Sequence, residues 1–333
     1  MADPIKVVQY GLGPIGIAAA KLVLEKKNLQ LVGGIDIDPS KVGQDIGDVL
    51  RIQRKLGTLI SDDAEGVLSQ TRPDVVLHST VSFLNRVEDQ LQICCRAKAS
   101  VVSSCEELFY PFRRDAVFSQ RIDELAKKHG VTVMATGVNP GFSMDVLPLA
   151  MTSVCTRVEK VFATRIVDAA KRRLPLQKKI GAGLPPEEFR QLVSMGKLGH
   201  IGLVESLHAV ADRLGLEFDE IKETIDPKVA DAAVHTPYLK VKTGHVAGIL
   251  HVAIGLNRGE EIVKLELQMY VGAERSVDSV RIVGEPPIEL ILAGGIFGDT
   301  ATIARMVNAI PIVHGSQPGL FTAMDLPVPF CIK

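Results

Sequence analysis

Along residues 1–135 one alternation repeats: a short apolar run rich in β-branched residues, then a stretch whose apolar positions recur at three- and four-residue spacing. The runs are Ile5–Tyr10, Leu29–Ile35, Thr58–Ser61, Asp74–His78, Ser100–Ser103 and Val131–Ala135. Between them lie the helical stretches Ile15–Lys26, Ala64–Thr71, Arg86–Ala97 and Ala116–His129. Uniformly apolar strands separated by helices need both faces of their sheet covered, which predicts a doubly wound parallel sheet of the α/β class.

The texture changes beyond Asp145. Met144–Cys155 reads as a helix, Lys160–Val167 as a strand, and Lys171 to Lys179 as a polar, basic run. Pro185-Pro186-Glu187-Glu188 opens a further helix, with proline in its first turn and acids at its positive end. Ile201–Leu214 and the shorter Glu217–Thr224 also read as helices. Val241–Asn257 and Ile262–Val271 predict an antiparallel pair joined at Asn257-Arg258-Gly259-Glu260, with further strands at Asp278–Ile282 and Ile288–Leu292. Asp299–Ala309 is helical and Pro311–Lys333 is a proline-containing tail. The expected organisation is an α/β domain over 1–145, an α+β domain over 146–295, and a last segment, about 296–333, that packs back on the first.

Composition narrows the function classes. Lys and Arg number 38 against 39 Asp and Glu, so no basic surplus calls for nucleic acid or an anionic membrane. No apolar run approaches the roughly 18 residues of a membrane span, and MADPIKVVQY lacks the apolar stretch of a signal peptide. Five cysteines cannot all pair and none is spaced as CxxC; adjacent Cys94 and Cys95 read as helix packing. A cytoplasmic, reduced protein without a metal site is expected, since the histidines show no ligand spacing with any Cys or acid.

Gly11-Leu12-Gly13-Pro14-Ile15-Gly16 follows the first strand and opens the first helix. In that context the glycines permit a tight turn, a close pyrophosphate and close helix packing, and the helix start offers free N–H groups to phosphate. Asp36 ends the second strand, 20 residues after Gly16, where an acid accepts from ribose hydroxyls. Asp36 favours NAD, whereas the nearby Ser40 and Lys41 favour room for a 2′-phosphate, so NAD and NADP both stay open. Ligands on such a sheet bind beyond the strand ends. That places His78, Ser79, Thr80, Cys105 and Asn139 near the cofactor, His78 as a neighbour of the cofactor and not a catalytic group. Ser61-Asp62-Asp63 reads instead as an N-cap.

Glu106 and Glu107 leave the end of a buried strand at the expected height of the nicotinamide. A partly desolvated carboxylate there takes protons from a substrate; the alternative is a helix start or an ion pair with Arg113 or Arg114. His200, in a glycine-flanked loop, is a candidate for substrate binding, proton shuttling or helix capping. Arg165 is a candidate for anion binding or a dimer rim at a strand end, and Asn139, Pro140 and Phe142 for substrate contact. Gly294-Gly295-Ile296-Phe297-Gly298-Asp299-Thr300 suggests close backbone approach, with Thr300 toward substrate or Asp299 as an N-cap.

Several segments together resemble one family. GLGPIG, Ile35-Asp36-Ile37-Asp38-Pro39, Cys105-Glu106-Glu107-Leu108-Phe109-Tyr110-Pro111 and Gly137-Val138-Asn139-Pro140-Gly141-Phe142 look like the 2,4-diaminopentanoate dehydrogenase and amine dehydrogenase group. Ile180-Gly181-Ala182-Gly183, Gly298-Asp299-Thr300-Ala301 and Asn308-Ala309-Ile310-Pro311 extend the likeness along the chain. The resemblance implies a Rossmann domain with an α+β substrate and dimerisation domain, and a homodimer. It also implies NAD(P)-linked oxidative deamination of an amine to a ketone and ammonia, with a glutamate of the Glu106-Glu107 segment handling the amine. Dihydrodipicolinate reductases proper carry a His-His-x-x-x-Lys stretch, and Lys160 to Lys179 contains no histidine. Two other activities stay open: reduction of a cyclic imine or ketone without ammonia, and a non-catalytic dinucleotide sensor.

Overall fold

The computed structural model describes residues 3–331. Two compact units divide the chain: one runs up to Gly141 and resumes at Phe297, and the other is Phe142–Ile296.

The first unit alternates as the apolar pattern predicts: β1 (Ile5–Tyr10), α1 (Pro14–Glu25), β2 (Leu29–Ile35), α2 (Ile46–Val49), β3 (Ile60–Ser61), α3 (Ala64–Thr71), β4 (Val75–His78), α4 (Leu84–Arg96), β5 (Ser100–Ser103), α5 (Ala116–His129) and β6 (Thr132–Ala135). Strand residues such as Val8, Val76, Val101 and Val133 are fully buried against the helices. Helix ends follow local chemistry. Asp63 accepts from the Gly66 N–H at the start of α3, as expected, and Asp115 accepts from Phe118 N–H at the start of α5. Gly130, at φ 72°, ends α5 in the left-handed conformation that costs glycine least.

In the second unit come α6 (Val146–Thr152), β7 (Arg157–Asp168), α7 (Leu174–Lys179), α8 (Pro186–Ser194), α9 (Leu203–Leu214), β8 (Glu220–Val229), β9 (Val234–His235), β10 (Lys240–Val241), β11 (Val246–Asn257), β12 (Glu260–Tyr270), β13 (Val277–Glu285) and β14 (Ile288–Ala293). Then α10 (Gly298–His314) and β15 (Gly319–Phe321) rejoin the first unit.

The first sheet runs β15-β6-β5-β4-β1-β2-β3, parallel throughout. Chain order reverses at β1, between β2 and β4, which opens a crevice beyond the carboxyl ends of those strands. The second sheet runs β14-β13-β7-β12-β11-β8, with β7–β12 its parallel pair. Alternation divides β7: Val161, Ala163, Arg165 and Val167 are buried on one face, and Phe162, Thr164 and Ile166 are half-buried on the other.

Three expectations need correction. Glu217–Thr224 is not helical; from Glu220 the chain pairs with β11 over ten residues. Ile221 and Ile225 are four apart, a spacing that fits one helix face and one strand face equally, and the β11 ladder decides. Val241–Asn257 is interrupted, because a turn with Gly244 at φ 80° separates β10 from β11. The last helix starts at Gly298 with Phe297 as N-cap, so Asp299 lies inside its first turn and is not its N-cap. It also continues through Pro311 to His314. Val307, Ile310 and Val313 are buried, and α10 packs on α1, β4, β5 and β6, which outweighs the proline penalty.

Candidate functional site

The glycine loop divides by cause. Gly11 has φ 85°, and a Cβ there would lie 2.4 Å from the Ser79 carbonyl oxygen. A Cβ on Gly16 would lie 1.9 Å from the Gly11 carbonyl oxygen. Internal packing therefore demands both. A Cβ on Gly13 would meet nothing within 4 Å, so the protein itself gives that glycine no reason. No side chain caps α1, leaving its first-turn N–H groups for a ligand beside Gly13. An uncapped helix start with open backbone beside it fits a dinucleotide pyrophosphate.

Gln9, which the sequence reading passed over, fixes this loop. Its buried Nε2 donates to the Gly11 carbonyl at 3.0 Å, to Leu77 carbonyl at 3.1 Å and to Ser79 Oγ at 2.9 Å. An amide among the apolar residues that follow Lys6 in this strand was the available signal. Ser79 Oγ donates to Gly11 carbonyl at 3.0 Å, and Thr80 Oγ1 donates to Gln90 Oε1 at 2.7 Å. Both hydroxyls are thus engaged within the protein.

Asp36 is anchored to the loop. Its Oδ2 accepts from Leu12 N–H at 2.6 Å and from Lys41 Nζ at 3.1 Å, and its Oδ1 accepts from Asp38 N–H at 2.8 Å. Beside it Ile37 is 81% exposed, an apolar side chain at the strand end with no role in the core.

His78 and Cys105 correct the expected cofactor contacts. The His78 ring is fully buried between Ser103 Oγ at 2.9 Å and Gln90 Oε1 at 2.7 Å, with Tyr10 edge-on. Burial lowers its pKa to about 4. It is an internal strut that stays neutral. Its effect on stability has a definite sign: below the unfolded value of about 6.5 the unfolded chain takes a proton that the folded chain refuses. Stability should fall by up to about 1.4 kcal/mol per pH unit between those two values. Denaturant unfolding of His78→Gln beside the native chain at pH 7 and pH 5 checks this; an unchanged difference would overturn it. Cys105 is likewise enclosed in the core, its thiol pushed up to about 12 by burial.

The two adjacent acids differ. Glu107 Oε2 accepts from the Leu84 N–H at 2.8 Å, at the first residue of α4, and its Oε1 pairs with Arg114 at 3.2 Å. The Arg114 pair is the alternative expected for Glu107, and its bond to the start of α4 is an addition. Glu106, half-buried, has a carboxylate with no hydrogen-bond or ion-pair partner among the described residues. On the adjacent strand end, Asn139 Oδ1 is buried without a partner. Thr302 Oγ1 accepts from the Val138 N–H at 3.3 Å and ties α10 to this loop, and Thr300, two residues earlier, is exposed. Pro140 is buried after the cis Asn139–Pro140 bond.

In the second unit Arg165 contradicts its expected role. It pairs with Asp278 Oδ1 at 2.6 Å and donates to the Ile296 carbonyl at 2.5 Å, both side chains nearly inaccessible. Asp278 stands opposite Arg165 in the β13–β7 ladder and also accepts from Ile296 N–H at 2.6 Å. The charge is used internally. Gly294 and Gly295, at φ 85° and 63°, make the left-handed turn that delivers Ile296 to this pair, which explains the glycines without a ligand. His200 does not cap α9, whose N-cap is Gly202. Its buried Nε2 has no partner, and its ring lies edge-on to His251, centroids 6.3 Å apart. Burial, then Lys179, His251 and Arg165, push it well below the usual range, so it stays neutral. His251 Nε2 meets Glu223 at 2.9 Å. Phe142 is half-buried at the start of this unit. Among the described residues no three His, Cys, Asp or Glu are grouped to hold a metal, and no helix is long and apolar enough to cross a membrane.

A doubly wound sheet with an uncapped glycine loop and an acid at the second strand end defines an NAD(P)-dependent oxidoreductase, with a mixed-sheet second unit. Residues 5–135 match the family described as dihydrodipicolinate reductase, N-terminus, and residues 142–333 match the 2,4-diaminopentanoate dehydrogenase C-terminal domain. The chain belongs to the 2,4-diaminopentanoate dehydrogenase family. It is 32% identical to the 2,4-diaminopentanoate dehydrogenase of Acetoanaerobium sticklandii, across 99% of this chain and 95% of that one. It is 27% identical to an amine dehydrogenase of Streptomyces virginiae, across 97% and 96%. The solved structure of an amine dehydrogenase from Mycobacterium smegmatis superposes with a TM-score of 0.85 at 30% identity, covering 98% of this chain and 97% of that one.

Proposed function

We propose that the chain catalyses NAD(P)-linked oxidative deamination of an amine or diamine to a ketone and ammonia, reversible as reductive amination. One observation carries the mechanism: of two adjacent glutamates at the end of β5, Glu107 is bound to Leu84 and Arg114 while Glu106 has no hydrogen-bond or ion-pair partner among the described residues. Glu106 accepts a proton from the substrate ammonium, leaving a neutral amine whose α-hydrogen departs as hydride. The bound nicotinamide supplies the hydride acceptor. Water adds to the resulting iminium, and the ketone and ammonia leave. Asn139 Oδ1 offers a buried acceptor to an N–H of cofactor or substrate. Substrate contact within the first unit further falls to Pro140 and Thr300. The amine-dehydrogenase relatives support the amine; the role of Glu106 rests on its carboxylate.

The test is absorbance at the reduced-nicotinamide band with NADH or NADPH, ammonium and a panel of ketones including amino-ketones. Ammonium-dependent oxidation is expected. Oxidation without ammonium would make the chain a plain imine or ketone reductase, and binding without any turnover would make it a sensor.

A homodimer in the cytoplasm completes this reading. Phe162, Ile166, Leu250, Val252 and Ile254 share one half-buried face of the second sheet, outside both buried clusters of that unit. A second copy suits such a face. Sedimentation should give twice the chain mass, and Val252→Asp should halve it; a monomeric native chain would overturn the assignment. Five free cysteines, three of them buried, suit a reducing compartment.

A further inference from the structure

The acid at the end of β2 does not act alone. Lys41 Nζ lies 3.1 Å from Asp36 and 3.2 Å from Asp38, a bridge between two carboxylates. Its ammonium has three N–H bonds, of which two are engaged there and one is free. Asp36 Oδ1 accepts from Asp38 N–H alone, so one of its lone pairs is also free. Ser40 donates to Asp38 through both its N–H and its Oγ, at 3.0 and 2.7 Å. Those bonds, the Ser40 hydroxyl foremost, hold the Asp38 carboxyl at about 2, so it is ionised at any working pH.

The cluster therefore presents one acceptor and one donor side by side, with a net charge of minus one from two carboxylates and one ammonium. A ribose 2′-hydroxyl satisfies both, donating to Asp36 and accepting from Lys41. A 2′-phosphate only accepts: it uses Lys41, but meets Asp36 and Asp38 as like charges. We propose that the Asp36–Lys41–Asp38 triad selects NAD over NADP, with Asp38 the second discriminating acid and Lys41 the residue that moderates both. The inference rests on the dinucleotide reading of the site and is independent of the amine chemistry.

It is tested by the dissociation constants of NADH and NADPH for the full chain, from reduced-nicotinamide fluorescence without amine or ketone. The native chain should bind NADH more tightly. Asp38→Asn should narrow the ratio by about tenfold by improving NADPH, and Lys41→Gln should widen it by a similar factor. Asp38 is partly exposed and Asn keeps its size, so folding survives; unchanged thermal midpoints check this. NADPH binding as tightly as NADH in the native chain, or a ratio unmoved by Asp38→Asn, would overturn the proposal. Failure of amine turnover with the predicted binding pattern would overturn the catalytic reading and leave this one standing. Loss of both nucleotides would overturn this one with the dinucleotide site itself.

Discussion

Glu106→Gln should lower ammonium-dependent turnover by about 10²–10⁴-fold, the usual worth of a positioned proton acceptor. The amide keeps the size of the side chain and removes its basicity. Because the Glu106 carboxylate holds no hydrogen-bond or ion-pair partner among the described residues, its loss breaks no internal bond there, and NADH binding and thermal midpoint should stay near native. Glu107→Gln should show the reverse pattern. It weakens a charge-assisted bond to Leu84 N–H and an ion pair with Arg114, so the midpoint falls while the rate drops far less. Steady-state rates beside thermal melts separate the two. Equal loss of rate in both variants, or none in Glu106→Gln, would refute the assignment.

The second large effect concerns stability. Asp278→Asn should destabilise by about 3–5 kcal/mol, because it leaves the Arg165 guanidinium buried with its counter-charge removed. That is a large share of the roughly 5–15 kcal/mol that holds a domain folded. The double variant Arg165→Met with Asp278→Asn should recover part of the loss, since no unpaired charge then remains inside. Denaturant unfolding gives the four midpoints of this cycle. A single variant as stable as the native chain would show that Arg165 is solvated, and would return it to the substrate-binding candidates.

Much of the fold could be read from the chain because its signals are local. Six apolar runs became the strands β1 to β6, and the turn at Asn257 to Glu260 joined an antiparallel pair. What escaped was set by partners distant in sequence. Ile221 and Ile225 took strand geometry from β11, and β15 is a strand only because β6 lies beside it. The site divides the same way. The glycine loop and Asp36 carry their meaning in spacing, whereas the positions of His78, Cys105 and Arg165 at strand ends suggested ligand-facing roles. Burial against Gln90, the sheet core and Asp278 gives them internal ones. Nothing in spacing could separate Glu106 from Glu107; a backbone N–H at Leu84 does so.

The first unit is interrupted and resumed: its sheet begins at Ile5 and gains its last strand at Gly319–Phe321, after the whole of the second unit has been laid down. During synthesis, then, β6 emerges with a bare edge, and α10, which covers α1, β4, β5 and β6, comes more than 160 residues later. At roughly 5–20 residues per second the nascent chain carries that unpaired edge for about ten to thirty seconds. The second unit, continuous in sequence, is free to fold in that interval, so the order of assembly on the ribosome runs opposite to the order of the domains' first residues. A chain that loses its last twelve residues keeps β15; one cut before Gly298 leaves the nucleotide sheet uncovered, a candidate for chaperone capture and proteolysis.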